Sequence, residues 1–205
     1  IFIKKNSQNK QLKKIILISN QHDIPLEEVE KDFLTTLSFS NKHQGVVCEV
    51  NDLSLSNFNL DAYLQIHKFP FIVIFDSIQD PRNLGSCIRT ANAAGVSLII
   101  KKKANSCEIS PLVHKAASGG LQGLSLLETN NLSSIIKKLK NNNITIIGTD
   151  HVASKSIYEM KKISSGIAVI IGSEGDGISK SLLNICDEIY KVPIYGSVDC
   201  LNVSV

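Results

Sequence analysis

Two uninterrupted apolar runs, FPFIVIFD at Phe69 to Asp76 and GIAVIIG at Gly166 to Gly172, constrain the fold of this chain more than any other feature. A strand with one wet face alternates apolar and polar residues, so a run with no polar face needs cover on both sides. The middle of a parallel sheet flanked by helices supplies that cover. VSLII, ITIIGTD and EIYKVPI add three more strands. Between the strands lie a helix from about Leu84 to Ala94 that stops at Gly95, then LSSIIKKLKNNN and SKSLLNICDE. No internal repeat is present. Strand and helix in alternation indicate an α/β domain with a mainly parallel sheet, in which ligands bind beyond the carboxyl ends of the strands.

The first 52 residues read as a smaller α/β unit. IFI forms a strand and KQLKKIILISNQ an amphipathic helix, an extended piece follows around IPLEEV, and HQGVVCEV forms a buried strand with Gly45 at a tight turn. The predicted organisation is a domain at 1–52, a polar linker at 53–68 and a second domain at 69–205. A length of 205 residues suits one domain of about 150 residues and a smaller one.

Composition narrows the classes. An apolar content of 43% permits a sizeable core, no run approaches the ~18 residues of a membrane span, and the start does not read as a signal peptide. The five cysteines are scattered and never form C-x-x-C, which argues for free thiols in a reducing compartment. A bacterial cytoplasm is the expectation, with an organelle matrix as the alternative. Isolated histidines and the lack of H-E-x-x-H predict no metal. The net charge of +3 is small, but lysines cluster at Lys4, Lys5, Lys10, Lys13 and Lys14, at Lys101 to Lys103, and at Lys137, Lys138 and Lys140. Such clusters neutralise phosphates or simply keep a surface soluble.

Three segments at strand ends carry chemistry. In NLGSCIRTANAAGV, Asn83 and Gly85 lie where a turn opens a helix, and Arg89 follows Asn83 by about one and a half helical turns. A guanidinium placed there could hold an anion such as a phosphate or stabilise a developing negative charge. Asn83 could equally cap the helix and Arg89 face solvent. In IIGSEGDGIS, glycines at 172, 175 and 177 permit a sharp turn and Glu174 places a carboxylate at the strand end. The spacing matches neither G-x-G-x-x-G nor a P-loop, and a plain strand-to-helix turn is the alternative. In VPIYGSVDCLNVSV, Asn202 and Ser204 are polar positions of helix-opening character, able to hold a hydroxyl or to cap.

In this order and spacing the three segments resemble the motifs of the SpoU (TrmH-like) 2′-O-ribose RNA methyltransferases of the SPOUT class. The resemblance spans almost the whole chain. HQGVV and SVDCLNVSV make it most similar to the branch that methylates a guanosine of large-subunit (23S-type) ribosomal RNA, in bacteria and mitochondria. It implies a SPOUT α/β-knot, with a C-terminal trefoil knot and mainly parallel sheet, preceded by a small L30e-like α/β domain that grips rRNA. It also implies S-adenosyl-L-methionine as cofactor and a homodimer that builds each site across its interface. Position by position, it implies that Arg89 activates the 2′-hydroxyl with Asn83 beside it. Glu174 corresponds to the glutamate of the second motif, and Asn202 and Ser204 to the polar pair of the third. Gly172, Val192 and Leu201 fall where the family encloses the cofactor's adenosine, with Gly148 and Ile194 as neighbours.

Cys200 stands where the family usually has Ser, and Gly120 where Ala is common. The resemblance further implies a first domain incomplete at its N-terminus and a second incomplete at its C-terminus. Three other readings stand beside this one: a tRNA 2′-O-methyltransferase, an RNA-binding homologue without catalysis, and a nucleotide-binding α/β protein using the loop at Gly172 to Gly177.

Overall fold

The computed structural model describes residues 1–38, 41–50, 58–198 and 200–204. The chain divides into two units, Ile1–Ser54 and Leu55–Val205. In the first, β1 (Phe2–Lys4) is followed by α1 (Lys10–Gln21), whose N-terminus is capped by the Asn9 side chain accepting from Gln11 N–H at 2.9 Å. Next come β2 (Glu27–Val29), α2 (Lys31–Ser38) and β3 (Val46–Val47). The strand order is β2-β1-β3, with β1 parallel to β2 and antiparallel to β3. Ile3, Leu12, Val29 and Leu34 are the buried apolar residues of this unit.

Two elements differ from the sequence reading. The run KDFLTTLS is helical although Thr35, Thr36 and Ser38 are weak helix formers. Their hydroxyls donate to carbonyls four residues back, at 3.1, 3.0 and 2.8 Å, while Leu34 is fully buried. The predicted strand HQGVVCEV shrinks to Val46–Val47, because β1 offers only three residues to pair with and Gly45, at φ +86°, turns the chain just before it.

The second unit begins with α3 (Leu60–Ile66), so the predicted linker at 53–68 is corrected over this range; its residues 53–57 lie outside those described. Leu60 and Tyr63 are buried against the sheet, and the Tyr63 hydroxyl bonds to Ser97 Oγ at 2.5 Å. Then follow β4 (Phe71–Phe75), α4 (Pro81–Ala93), β5 (Leu98–Lys102), α5 (Pro111–Ala117), β6 (Ser125–Thr129) and α6 (Leu132–Asn141). The unit continues with β7 (Ile144–Thr149), β8 (Lys155–Ser156), β9 (Gly166–Ile171), α7 (Lys180–Leu183) and β10 (Glu188–Lys191). The seven strands lie in the order β6-β5-β4-β9-β7-β10-β8, and every neighbouring pair is parallel.

Both faces of the sheet are buried, which explains the uninterrupted apolar runs. Ile72 and Ile74 point to one core with α3, α6 and α7 residues such as Tyr63, Ile136 and Leu182. Val73 and Phe75 point to the other, with Leu84, Ile88, Val113 and Ala117 of α4 and α5. α5 and β6 were not expected, since their segment is rich in Ser and Gly. α7 is four residues rather than ten because Ile185 and Cys186 N–H groups bond three residues back, tightening the chain out of the helix.

Gly85 lies inside α4, not on a ligand-facing turn. A Cβ there would sit 2.5 Å from Ala116 Cβ and 2.7 Å from the Val113 carbonyl, so glycine sets the close approach of α4 and α5. Gly85→Ala is expected to lower stability by about 1–3 kcal/mol through overpacking, measured as a lower urea midpoint with an unchanged m-value.

Candidate functional site

The sheet order decides where the site lies. From β4 the chain winds outward through β5 and β6, then returns to the opposite side as β9, β7 and β10. The crevice beyond the carboxyl ends of β4 and β9 is therefore the switch point at which open parallel sheets bind ligands. The two strands flanking it, β4 and β9, lead into the first two sequence motifs, and β10, separated from β9 by β7, leads into the third.

Asp76 follows β4 and is nearly fully buried. Its backbone N–H extends the ladder to the Ile171 carbonyl at 2.9 Å. Its Oδ2 accepts from Ser179 N–H at 3.1 Å, and its Oδ1 from Ser77 Oγ at 3.2 Å and Lys102 Nζ at 3.4 Å. One carboxylate thus ties the far end of the Gly172–Ser179 loop to the ends of β4 and β5. Asp76 and Ser179 were not singled out from sequence, and Lys102 only as part of a lysine cluster. An acid closing an apolar run was the available signal.

α4 begins earlier than predicted. Asp80 is its N-cap, accepting from Arg82 and Asn83 N–H at 2.7 and 3.2 Å, with Pro81 in the first turn. Asn83 is therefore not the cap. Its Nδ2 donates instead to Glu174 Oε1 at 2.6 Å, joining motifs one and two across 91 residues. Arg89, further along α4, is exposed and has no hydrogen bond or ion pair among the described residues. Its backbone is held from the far side: a Cβ on Gly120 would lie 2.8 Å from Arg89 Cα, and Asn92 Nδ2 donates to the Gly120 and Gln122 carbonyls at 2.9 and 3.0 Å.

The loop carrying Glu174 folds back on itself, with Ser173 N–H donating to the Gly177 carbonyl at 2.9 Å and Gly177 N–H to the Ser173 carbonyl at 3.1 Å. It crosses directly over Gly172, where a Cβ would overlap the Gly177 and Ile178 backbone. Gly148, within β7, likewise leaves room for the Cys186 thiol, 2.9 Å from where its Cβ would be. Both glycines therefore have packing reasons of their own. Val192, Ile194 and Leu201 follow β10 in irregular backbone, with Val192 and Leu201 exposed and Ile194 half-buried.

In the third motif Ser204 N–H and Oγ both donate to Asn202 Oδ1, at 2.9 and 2.7 Å. Asn202 thus accepts in the manner of a helix N-cap, one of the two roles its sequence position offered. Val203 between them packs on the α4 side of the sheet, and its carbonyl accepts from Cys87 Sγ at 3.3 Å. Motifs one and three meet there. Burial, and then the negative field of Glu174, push the Cys87 thiol up to about 11, so it remains a protonated donor. Burial and the neighbouring Asp187 push Cys186 up to about 11 as well. Neither is a thiolate nucleophile at neutral pH. Among the described residues no group of three or more His, Cys, Asp or Glu is placed to hold a metal.

A family model described as the SpoU rRNA Methylase family matches residues 70–205. The chain belongs to the SpoU rRNA methylase family. A second model, RNA 2′-O ribose methyltransferase substrate binding, matches residues 1–55. The chain is 33% identical over its full length to the 23S rRNA (guanosine-2′-O-)-methyltransferase RlmB of Vibrio vulnificus, covering 83% of that protein. It is 32% identical to the RlmB of Salmonella typhimurium, covering 84%. Among solved structures, an RNA 2′-O ribose methyltransferase aligns over 99% of this chain and 74% of its own, with a TM-score of 0.78 at 20% identity. AviRb from Streptomyces viridochromogenes, in complex with AdoMet, aligns over 99% and 76% with a TM-score of 0.74 at 18% identity. The SpoU fold is thus shared well beyond close sequence similarity.

The raised thiols give a pH dependence with a fixed sign. Between about pH 9 and about pH 11 the folded chain keeps thiol protons that the unfolded chain releases, so stability falls as pH rises through that window. Urea unfolding at pH 8 to 11 is expected to show a shallower decline in Cys87→Ala/Cys186→Ala than in the unsubstituted protein.

Proposed function

We propose that this SpoU protein transfers a methyl group from S-adenosylmethionine to the ribose 2′-hydroxyl of a guanosine in 23S-type ribosomal RNA. The single observation that carries the reading is the Asn83–Glu174 hydrogen bond, which joins two motif residues at the switch point of the sheet. Full-length identity of 31–33% to proteins named as 23S rRNA guanosine-2′-O-methyltransferases supports the substrate class. A homodimer is part of the reading, supported by the strongly exposed Tyr195 and Val198 in the segment after β10. So are an RNA-gripping role for an L30e-like first unit, a trefoil knot formed by the segment after β9, and a bacterial cytoplasm as the location.

The residues present fit an adenosine. Val192 and Leu201 leave 47% and 45% of their surfaces uncovered beyond the strand ends, where a flat base could lie against them. Ile194 and the backbone at Gly148 and Gly172 would complete the enclosure. When bound, the cofactor supplies an electrophilic methyl on a sulfonium. The chain's own residues do the rest. Arg89 has no acid partner to satisfy it among the described residues, so its guanidinium is free to hold an RNA phosphate and stabilise the developing alkoxide. Glu174 orients the Asn83 amide, whose remaining N–H and carbonyl are left for hydrogen bonding. Asn202 and Ser204 present their turn beside α4. Catalysis is then chiefly positioning and electrostatics, with no covalent enzyme intermediate.

Methyl transfer from labelled cofactor to unmodified 23S rRNA fragments, mapped by primer extension, tests the reading. Arg89→Ala is expected to reduce turnover by about 10²–10³-fold with cofactor affinity retained, the loss typical of one transition-state charge contact. Asn83→Ala and Glu174→Ala are expected to be non-additive, because each removes the same hydrogen bond. Absence of transfer by the unsubstituted protein on any rRNA fragment would overturn the assignment.

A further inference from the structure

In two of the three lysine clusters, two lysines each are held by acids. Lys101 is buried and lies 3.0 Å from Glu128, and Lys102 lies 3.4 Å from Asp76. Lys138 pairs with Asp61 at 2.6 Å, and Lys140 with Asp187 at 2.7 Å. The first cluster differs: within it Lys5 alone is ion-paired among the described residues, with Glu30 at 3.5 Å. In the first unit Lys4, Lys10, Lys13, Lys14 and Lys31 have no ion pair among the described residues.

That unit also contains a hollow of about 290 Å³. It lies over the carboxyl ends of the parallel pair β1 and β2, the same end at which parallel sheets elsewhere receive ligands. Lys4, the last residue of β1, and Lys31, the first of α2, contribute to its lining and are exposed. Its floor is the turn at His43 to Gly45. Lys4 N–H donates to the Gly45 carbonyl at 2.8 Å, and Gly45 N–H donates to His43 Nδ1 at 3.0 Å. His43 Nε2 lies 3.4 Å from Thr35 Oγ1, so the ring is held on both nitrogens and forms one wall of the hollow. Ser7, Asn41 and Gln44 add uncharged polar groups. Glu30 is already held by Lys5, which leaves Asp32 as the acid adjacent in sequence to Lys31.

We propose that this hollow binds one phosphodiester-linked nucleotide of the RNA, with Lys4 and Lys31 on its phosphate. The proposal deepens the rRNA reading given above and rests on it. Two free ammonium groups over a polar floor suit a phosphate. A volume at the lower end of small-molecule pockets, about 300–1,000 Å³, suits a single nucleotide and not a longer insertion. Such an interaction positions the RNA and does not read its sequence.

The test uses the full chain and a fluorescent single-stranded 23S rRNA fragment, with binding followed by anisotropy across a salt series. Lys4→Gln/Lys31→Gln is expected to weaken binding and to flatten the slope of log K against log salt by about 0.7 for each single-strand phosphate no longer neutralised. Lys10→Gln/Lys14→Gln removes the same charge from α1 and is expected to leave that slope closer to the unsubstituted value. Guanosine monophosphate is expected to compete only weakly, since it lacks the neighbouring linkages of the chain. Equal effects of the two double variants, or none from Lys4→Gln/Lys31→Gln, would overturn the hollow as a site, as would equal competition by the free nucleotide. Cofactor affinity, measured in parallel, is expected to be unchanged in both variants. RNA bound through the hollow without methyl transfer would instead sink the enzymatic reading and leave the hollow standing.

Discussion

The parallel pairing of β4 with β9 is the constraint on which the site depends. Five consecutive residue pairs, from Phe71 with Ile167 to Phe75 with Ile171, align the two strands so that they end together. The loops that follow have no choice but to leave side by side. Bringing together segments so far apart costs chain entropy, but that cost grows only logarithmically with loop length. Burial of both sheet faces by Ile72, Val73, Ile74 and Phe75 offsets it. Asp76 then carries the alignment one residue beyond the ladder, and Asn83 and Glu174 carry it from backbone to side chain.

Much of the second unit was legible because its strands are apolar on both faces. Their shortness, β-branched residues and flanking Pro and Gly set these runs apart from a buried helix. What was not legible had a weaker local signature. α3 lay in a polar stretch in which Leu60 and Tyr63 are the buried anchors, helped by Phe58 and Leu64, and α2 adds hydroxyl bonds to its own backbone. The three motifs could be read, but not their mutual hydrogen bonds. Nothing near Asn83 announces a carboxylate 91 residues away. Lysine clusters misled for the same reason, since the acids that neutralise Lys101, Lys102, Lys138 and Lys140 are distant in sequence.

The site's chemistry follows from what it lacks as well as what it holds. The thiol nearest the motifs, Cys87, stays protonated through burial and the neighbouring carboxylate, and serves as a hydrogen-bond donor to the third motif. A reaction that needs only alignment of an acceptor oxygen with a reactive methyl asks for rigid loops and one unspent cation. Gly172 and Gly120 supply the rigidity by letting backbone lie against backbone, one beneath the glutamate loop and one behind Arg89.

The run Lys101-Lys102-Lys103 reads to a trypsin-like protease as three adjacent cut sites. In the folded chain, however, β5 runs through the first two, and Lys101 is 2% exposed. Backbone held in a central strand cannot enter a protease cleft. Cleavage after Lys101 or Lys102 would therefore count the openings of the sheet between β5 and its neighbours, turning an apparent surface tag into a gauge of the core's rarest excursions.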